Sequence, residues 1–378
     1  MRICIISSDY PEEGRPVYTF VKNIVDALAD NGNECIVVAP FSITRNKKFH
    51  RSKEIYKTSH GNEVKVYRPN IFTLSDFKIG GFRPSSYVFR RAVNRVLEGL
   101  DKKPDAIYGH FWGNALCGYK YAKKNNIPLF VATGESVISL TNRDGKLDDF
   151  VNYMTGVICV STKNKDESIE KRLTIPEKCV VIPNSINPQI FRKLDKQECR
   201  KKLGISLDIF ISITVGSFIP RKGTLRISSA IDSLSDEIYS IFIGKGPDTP
   251  NCKNILFCGR VDNKDIPTYL NAADVFVLPT LHEGCCNAIL EAMVCGLPIV
   301  SSDLSFNWDI LNEGNSILIN PNDVAEIAKA LKQLKDNPIL LKTLSDNALE
   351  TAKEYTLEKR ALKIEHFIKS KSKINKND

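Results

Sequence analysis

Apolar residues along this chain follow two periods that take turns. Short runs rich in β-branched residues alternate with stretches whose apolar positions recur every three or four residues, the pattern of strands feeding helices in a parallel α/β sheet. In the first half the runs predict strands at Ile3–Ser7, Glu34–Ala39, Ala106–Tyr108, Pro128–Ala132, Gly156–Val160 and Cys179–Ile182. Phe20, Val21, Ile24, Val25 and Leu28 share one face of a helix expected over Tyr18–Asn31, which Asn31-Gly32 stops. A second helix is expected over about Ser86–Leu100. Near residue 183 the periodicity breaks at Pro183-Asn184 and Asn187-Pro188, which reads as a linker. A new series follows, with strands expected at Ile209–Val215, Tyr239–Ile243, Ile255–Phe257, Val275–Leu278 and Pro298–Val300. From Thr356 to Ser370 Leu357, Ala361, Ile364, Phe367 and Ile368 form one apolar face, and the polar last residues are expected to fray. A chain of 378 residues is longer than one core usually grows. Two α/β domains are therefore expected, 1–186 and 187–355.

Composition narrows the class. Hydrophobic content of 42% and charged content of 26% are those of a folded globular chain. No stretch approaches the ~18 apolar residues of a bilayer span. Met1 to Ile6 opens straight into a strand without a charged-then-apolar leader, so a cytoplasmic location is expected. The chain has eleven cysteines, and Cys4, Cys35, Cys159, Cys258 and Cys295 sit in apolar runs, as buried free thiols do in a reducing compartment. Cys-x-x-Cys and His-Glu-x-x-His are absent, and no zinc site is expected.

Charge is uneven. The net is +9, and residues 1–186 carry 28 Lys and Arg against 20 Asp and Glu. Such a half suits an acidic partner, either anionic lipid head groups or a pyrophosphate-bearing acceptor. Nucleic acid is not expected, because no recognition motif accompanies the charge. The densest run is Arg45, Lys47, Lys48, Arg51, Lys53 and Lys57, with Phe49 and Tyr56 interleaved. Its plain alternative is a solvated loop.

Three turns, each straight after a strand, carry candidate chemistry. The richest runs from Pro279 through Glu283, Gly284, Cys285 and Cys286 to Glu291 and Met293, a strand-to-helix turn. Ligands of open α/β sheets sit at such carboxyl ends, and the unpaired N–H groups of a helix start attract phosphate. Eight helical residues at ~1.5 Å each would put Glu283 and Glu291 up to about 12 Å apart. Two carboxylates so spaced suit the hydroxyls at the two ends of an extended ligand, and an ordinary helix-start glutamate with a solvated one is the alternative. Cys285 and Cys286 read as small side chains beside that ligand rather than redox groups. The second turn is Gly216-Ser217-Phe218-Ile219-Pro220-Arg221-Lys222-Gly223, where Arg221 and Lys222 offer charge to a pyrophosphate. The third is Gly244-Lys245-Gly246-Pro247, whose glycines permit close approach of the backbone. Asp-x-Asp is absent, and cations rather than a bound metal would balance a leaving diphosphate.

On these motifs, with Asn271 to Pro279 between them, residues 209–335 resemble the retaining glycosyltransferases of family four that contain Glu-x7-Glu. Weaker matches in the first half are similar to members that build polysaccharides on lipid-linked acceptors: Asp9-Tyr10-Pro11, Gly14, Val160-Ser161 and Val181 to Asn184. The resemblance implies two Rossmann-like domains whose parallel sheets face a central cleft, the GT-B arrangement, with a C-terminal helix about 356–378 crossing back to the first domain. It implies that Glu291 holds the donor ribose, that Glu283 and the backbone of Gly284, Cys285 and Cys286 hold sugar and phosphate, and that Lys222 meets the pyrophosphate. Gly216, Ser217 and Gly244 would line the donor, and Gly14 would approach its phosphate from the first domain. Two positions depart from the family. Ser217 stands where it usually has arginine, and Thr133-Gly134-Glu135 where it often has histidine; His110 and Glu135 are the candidates to serve sugar or acceptor.

The reading is a metal- and cofactor-independent, anomer-retaining transfer from a UDP- or GDP-sugar to a hydroxyl of a glycan or lipid-linked acceptor. Peripheral contact with an anionic inner membrane face is a further expectation. Two rivals stay open: a catalytically weak homologue that only binds nucleotide sugar, and a sugar-nucleotide epimerase on the same fold.

Overall fold

The computed structural model describes residues 1–73, 84–234 and 238–374. The chain forms two compact units, Met1–Ile182 joined by the C-terminal segment from Leu357, and Pro183–Thr356. Each is a parallel α/β sheet layered with helices.

The first unit holds an eight-stranded sheet. In spatial order its strands are Cys179–Val181, Gly156–Cys159, Leu129–Thr133, Ala106–His110, Arg2–Ile6, Glu34–Val38, Glu63–Tyr67 and Lys53–Lys57. Every pair is parallel except the last. The central strands are buried on both faces, so they read as unbroken apolar runs. Alternation still divides them. Ile3 and Ile5 pack beneath Thr19–Asp30 and the C-terminal helix Leu357–Ile374, which contributes Ala361, Ile364 and Ile368. Cys4 and Ile6 face the layer of Pro84–Glu98 and Trp112–Asn125.

The basic run departs from a solvated loop. Lys53–Lys57 pairs antiparallel with Glu63–Tyr67 as the edge strand. Its lysines point outward with Ile55, and edge lysines discourage further strand pairing. Its other face is polar. Tyr56 donates to Asp26 at 2.5 Å, and Glu54 pairs with Arg68 at 3.4 Å.

The second unit is a six-stranded, wholly parallel sheet in the order Ile255–Gly259, Ile238–Ile243, Phe210–Val215, Val275–Leu278, Ile299–Ser302, Ser316–Ile319. The chain starts at Phe210–Val215, winds one way for two strands, then returns to the opposite side at Val275–Leu278. That reversal opens a crevice beyond the carboxyl ends of these two strands.

All eleven cysteines are free thiols. Cys258 corrects the expectation of burial: it is exposed because Ile255–Gly259 is an edge strand whose alternate residues face outward. The expected fraying of the last residues falls on 375–378, outside the described residues, and no described helix is long and apolar enough to cross a membrane.

Candidate functional site

The crevice of the second unit is built by the turns after Phe210–Val215 and Val275–Leu278. Arg221, Lys222 and Glu283, brought by these two turns, meet there at one carboxylate oxygen. Glu283 Oε1 receives Lys222 Nζ at 2.6 Å, Arg221 Nη1 at 2.8 Å and the Thr280 hydroxyl at 2.8 Å. All three donors converge on a residue only 9% exposed. Arg221 also donates to the carbonyl of His282, and its own carbonyl accepts from Leu281 N at 2.9 Å, so the two turns are stitched both ways.

Glycines let a third loop join. Gly216 N donates to Ile243 O and Phe218 N to Lys245 O, both at 2.9 Å. A Cβ on Gly244 would lie 1.8 Å from the Gly216 carbonyl oxygen, so the missing side chain is used first by the neighbouring loop. Gly223, at φ 79°, starts the helix Thr224–Asp232 in the left-handed region, where a Cβ would meet Arg226 and Pro279 within 3 Å. Ser217 is exposed at this rim.

Glu283 lies in the loop, because the following helix spans only Asn287–Val294. The helical rise therefore applies to the four steps from Asn287 to Glu291, and a separation calculated over eight helical residues does not hold. Cys286 is the helix N-cap and has no side-chain cap bond; burial pushes its thiol up, away from redox reactivity. Its sulfur lies 4.0 Å from Lys222 Nζ. Glu291 keeps some residue-level exposure, yet desolvation raises its carboxyl to about 7. Among the described residues no hydrogen bond or ion pair reaches it. A carboxylate so placed is short of donors.

Three supports escaped the sequence reading. Arg226 donates to Pro279 O at 2.7 Å and Pro220 O at 2.9 Å, tying both turns together. Thr280 orients Glu283. Asn184, in the linker segment, donates to Cys285 O at 3.0 Å and Asn287 Oδ1 at 2.8 Å. The Pro-Asn punctuation gave its position but not its partner. A second cavity in this unit, lined by Lys196, Arg200 and Asp274, lies at the opposite, amino end of the sheet. There Arg200 and Asp274 close on each other at 2.7 Å, as a structural tie.

The remaining candidates sit in the first unit, at the carboxyl edge of its sheet. His110 ends the strand Ala106–His110, is 7% exposed, and is ringed by Phe20 and Phe111 at 5.3 and 4.6 Å. Burial lowers its pKa to about 3, so the ring is neutral, and its Nδ1 has no partner. Glu135 accepts from the Thr133 hydroxyl at 2.8 Å and Gly134 N at 2.9 Å. Gly14 takes φ 72° in a turn closed by Arg15 N to Glu12 O at 3.0 Å. The structure thus gathers Arg221, Lys222, Glu283, Gly284, Cys285, Cys286, Gly216 and Gly244 within one unit, and leaves Gly14, His110 and Glu135 in the other.

Residues 17–190 match the family model described as Glycosyltransferase Family 4, and residues 210–337 match Glycosyl transferases group 1. The chain is 30% identical to the UDP-Gal:alpha-D-GlcNAc-diphosphoundecaprenol alpha-1,3-galactosyltransferase of Escherichia coli, across 63% of this chain and 68% of that protein. It is 28% identical to the alpha-monoglucosyldiacylglycerol synthase of Acholeplasma laidlawii over 100% of both. Among solved structures, Anabaena Alr3699/HepE in complex with UDP superposes with a TM-score of 0.74 at 18% identity, covering 98% of this chain and 100% of that one. The fold is that of the two-domain GT-B glycosyltransferases.

Proposed function

We infer the reaction from one premise: the chain belongs to glycosyltransferase family 4. The donor is a UDP- or GDP-sugar, and the acceptor a hydroxyl on a glycan or lipid-linked sugar, in polysaccharide assembly. The carrying observation is the crevice itself, where Lys222 and Arg221 converge on Glu283 beside a helix start, with the unpartnered Glu291 further along that helix. In this reading the ribose hydroxyls donate to Glu291. The diphosphate takes Lys222 and the N–H groups near Asn287, and the sugar lies by Glu283.

As the bond from the anomeric carbon to the diphosphate breaks, Lys222, Arg221 and the helix start stabilise the growing charge. The acceptor oxygen bonds to that carbon on the same face, and its proton passes to the departing phosphate. These two cations supply the charge balance that a divalent metal would otherwise bring, so turnover is expected without one. Relatives named for UDP-sugar and diacylglycerol or diphosphoundecaprenol chemistry support both substrate classes. The catalytically weak alternative rests on one observation, that Ser217 occupies the rim where the family usually carries arginine.

The test is a thermal-shift panel of UDP, GDP, ADP and their sugars, followed by transfer assays with and without chelator. A nucleotide at 100 times its dissociation constant should add about 2.7 kcal/mol. No shift with any nucleotide would refute the donor site. Donor binding without transfer to any acceptor would favour the weak homologue, and conversion of free donor would favour the epimerase.

A further inference from the structure

Two cysteines of the first unit meet at one edge of its sheet. Cys159 ends the strand Gly156–Cys159, and Cys179 opens its neighbour Cys179–Val181, the outermost strand on that side. The parallel register sets Cys179 opposite Val157, so Cys159 is its diagonal neighbour two residues on. Both side chains enter the same apolar cluster, where the two thiols lie within hydrogen-bonding reach of each other. Cys159 is fully buried, whereas Cys179 keeps partial access to solvent.

Their surroundings give the two thiols different chemistry. The Cys179 sulfur lies 3.6 Å from the Thr174 hydroxyl and 3.3 Å from the Ile175 carbonyl oxygen. Hydrogen bonding to Cys159, helped by Thr174 and the charge of Lys165, brings the Cys179 thiol down to about 7 against its burial and the charge of Glu177. The same hydrogen bonding, with burial, pushes Cys159 up, so it keeps its proton. An accessible thiol of lowered pKa beside a second, protonated thiol is the arrangement of an oxidisable cysteine with its resolving partner. Sugar transfer calls on neither sulfur.

We propose that Cys179 and Cys159 form a redox-sensitive pair, in which a hydroperoxide oxidises Cys179 and Cys159 closes the disulfide. The Cys179 thiolate attacks one peroxide oxygen. An S–O bond forms, the O–O bond breaks, and the released hydroxide takes up a proton to become water. The Cys159 sulfur then attacks the sulfenic sulfur. The S–S bond forms, the S–O bond breaks, and the Cys159 proton leaves with the hydroxide as a second water. Two thiols lose two electrons, and one peroxide is reduced to two waters.

Closing the bond moves backbone. Diagonal neighbours on adjacent strands stand roughly 7–8 Å apart, whereas the Cα atoms of a disulfide mostly lie about 5.5–6 Å apart. The strand Cys179–Val181 is paired on one side only and can be drawn inward. It leads straight out of the unit: Ile182 N donates to the Cys159 carbonyl at 2.8 Å, and the chain enters the second unit at Pro183. Asn184 then donates to Cys285 O and Asn287 Oδ1 at the start of the donor helix. Oxidation should therefore weaken nucleotide binding. That consequence rests on the donor-site reading above; the disulfide itself does not.

The test treats the reduced full chain with hydrogen peroxide, maps cross-links by peptide mass spectrometry, and measures UDP affinity before oxidation, after it and after reduction with dithiothreitol. The Cys159–Cys179 cross-link should form first, with a severalfold loss of UDP affinity that reduction restores. Cys159→Ser should stop at oxidised Cys179 without a cross-link. Cys179→Ser should leave Cys159 reduced and keep its UDP affinity after peroxide. Unchanged UDP binding by both reduced variants shows that they are folded. Iodoacetamide at pH 7 should label Cys179 faster than the exposed Cys258, whose thiol partial burial pushes up. Oxidation of Cys258 ahead of Cys179, or no cross-link between Cys159 and Cys179, would overturn the pair. A cross-link with unchanged UDP affinity would overturn its effect on the donor site. Reduced wild-type protein that binds neither UDP nor GDP yet still forms the cross-link would sink the donor-site reading and leave the redox pair standing.

Discussion

Replacing Glu291 by glutamine should make the empty protein more stable and the donor site worse. Desolvation lifts the carboxyl from 4.5 to about 7 in the folded chain. The native state therefore holds a proton that the unfolded chain has already lost between these two values, so stability falls as pH rises through that window. At about 1.36 kcal/mol per tenfold change in acidity, the ionised carboxylate costs the fold up to about 3 kcal/mol above pH 7. Glutamine has the same shape and no charge. The variant should match wild type near pH 4.5 and exceed it by up to about 3 kcal/mol at pH 8, which is roughly 6–12 °C in melting temperature for a domain of this size.

Ribose hydroxyls would recover that cost by donating to the anion, so wild-type nucleotide affinity should fall below pH 7 and binding should release protons there. Loss of a charge-assisted bond is worth roughly 1.5–3 kcal/mol, so Glu291→Gln should bind UDP or GDP about ten- to hundredfold more weakly at pH 8. Melting curves from pH 4.5 to 8 and calorimetry in buffers of different ionisation enthalpy measure both sides. A variant less stable than wild type at pH 8, or one with unchanged nucleotide affinity, would refute the assignment of this carboxylate.

The other expectations concern charge and packing. Glu283→Gln removes the anion that holds Lys222 and Arg221, so free nucleotide should bind at least as well while turnover falls about ten- to hundredfold; Lys222→Ala should weaken both, and calorimetry beside steady-state kinetics separates them. Gly244→Ala would drive a Cβ to within 1.8 Å of the Gly216 carbonyl, so thermal unfolding should show about 1–3 kcal/mol lost or more, together with weaker donor binding as the Arg221–Lys222 turn shifts. Vesicle co-sedimentation should rise with anionic lipid and fall with salt, since each Lys or Arg near the surface adds about 1 kcal/mol that salt screens. Phe49→Ser should reduce the salt-resistant remainder; binding indifferent to both lipid charge and salt would reject this contact.

The alternation of apolar runs with helical periods, by itself, determined the α/β class, the break near residue 183 and the order of the three turns. Those properties are local, because a buried parallel strand is apolar on both faces and a helix face repeats every few residues. The edge strand Lys53–Lys57 was illegible for the complementary reason. Its outward face is Lys-Ile-Lys and its inward face is Glu54 and Tyr56, which pair with Arg68 and Asp26 on other elements, so no apolar alternation marks it. The motif order placed Arg221, Lys222 and Glu283 in neighbouring turns, but only the sheet reversal puts both cations on one oxygen of Glu283. Arg226 and Asn184 looked like an ordinary helix arginine and a linker asparagine, and became ties of the site through carbonyls far along the chain. Glu291 is the sharpest case. Its place in the spacing was plain, while its want of a partner and its raised pKa depend on what the fold withholds from it: most of its water and every donor among the described residues.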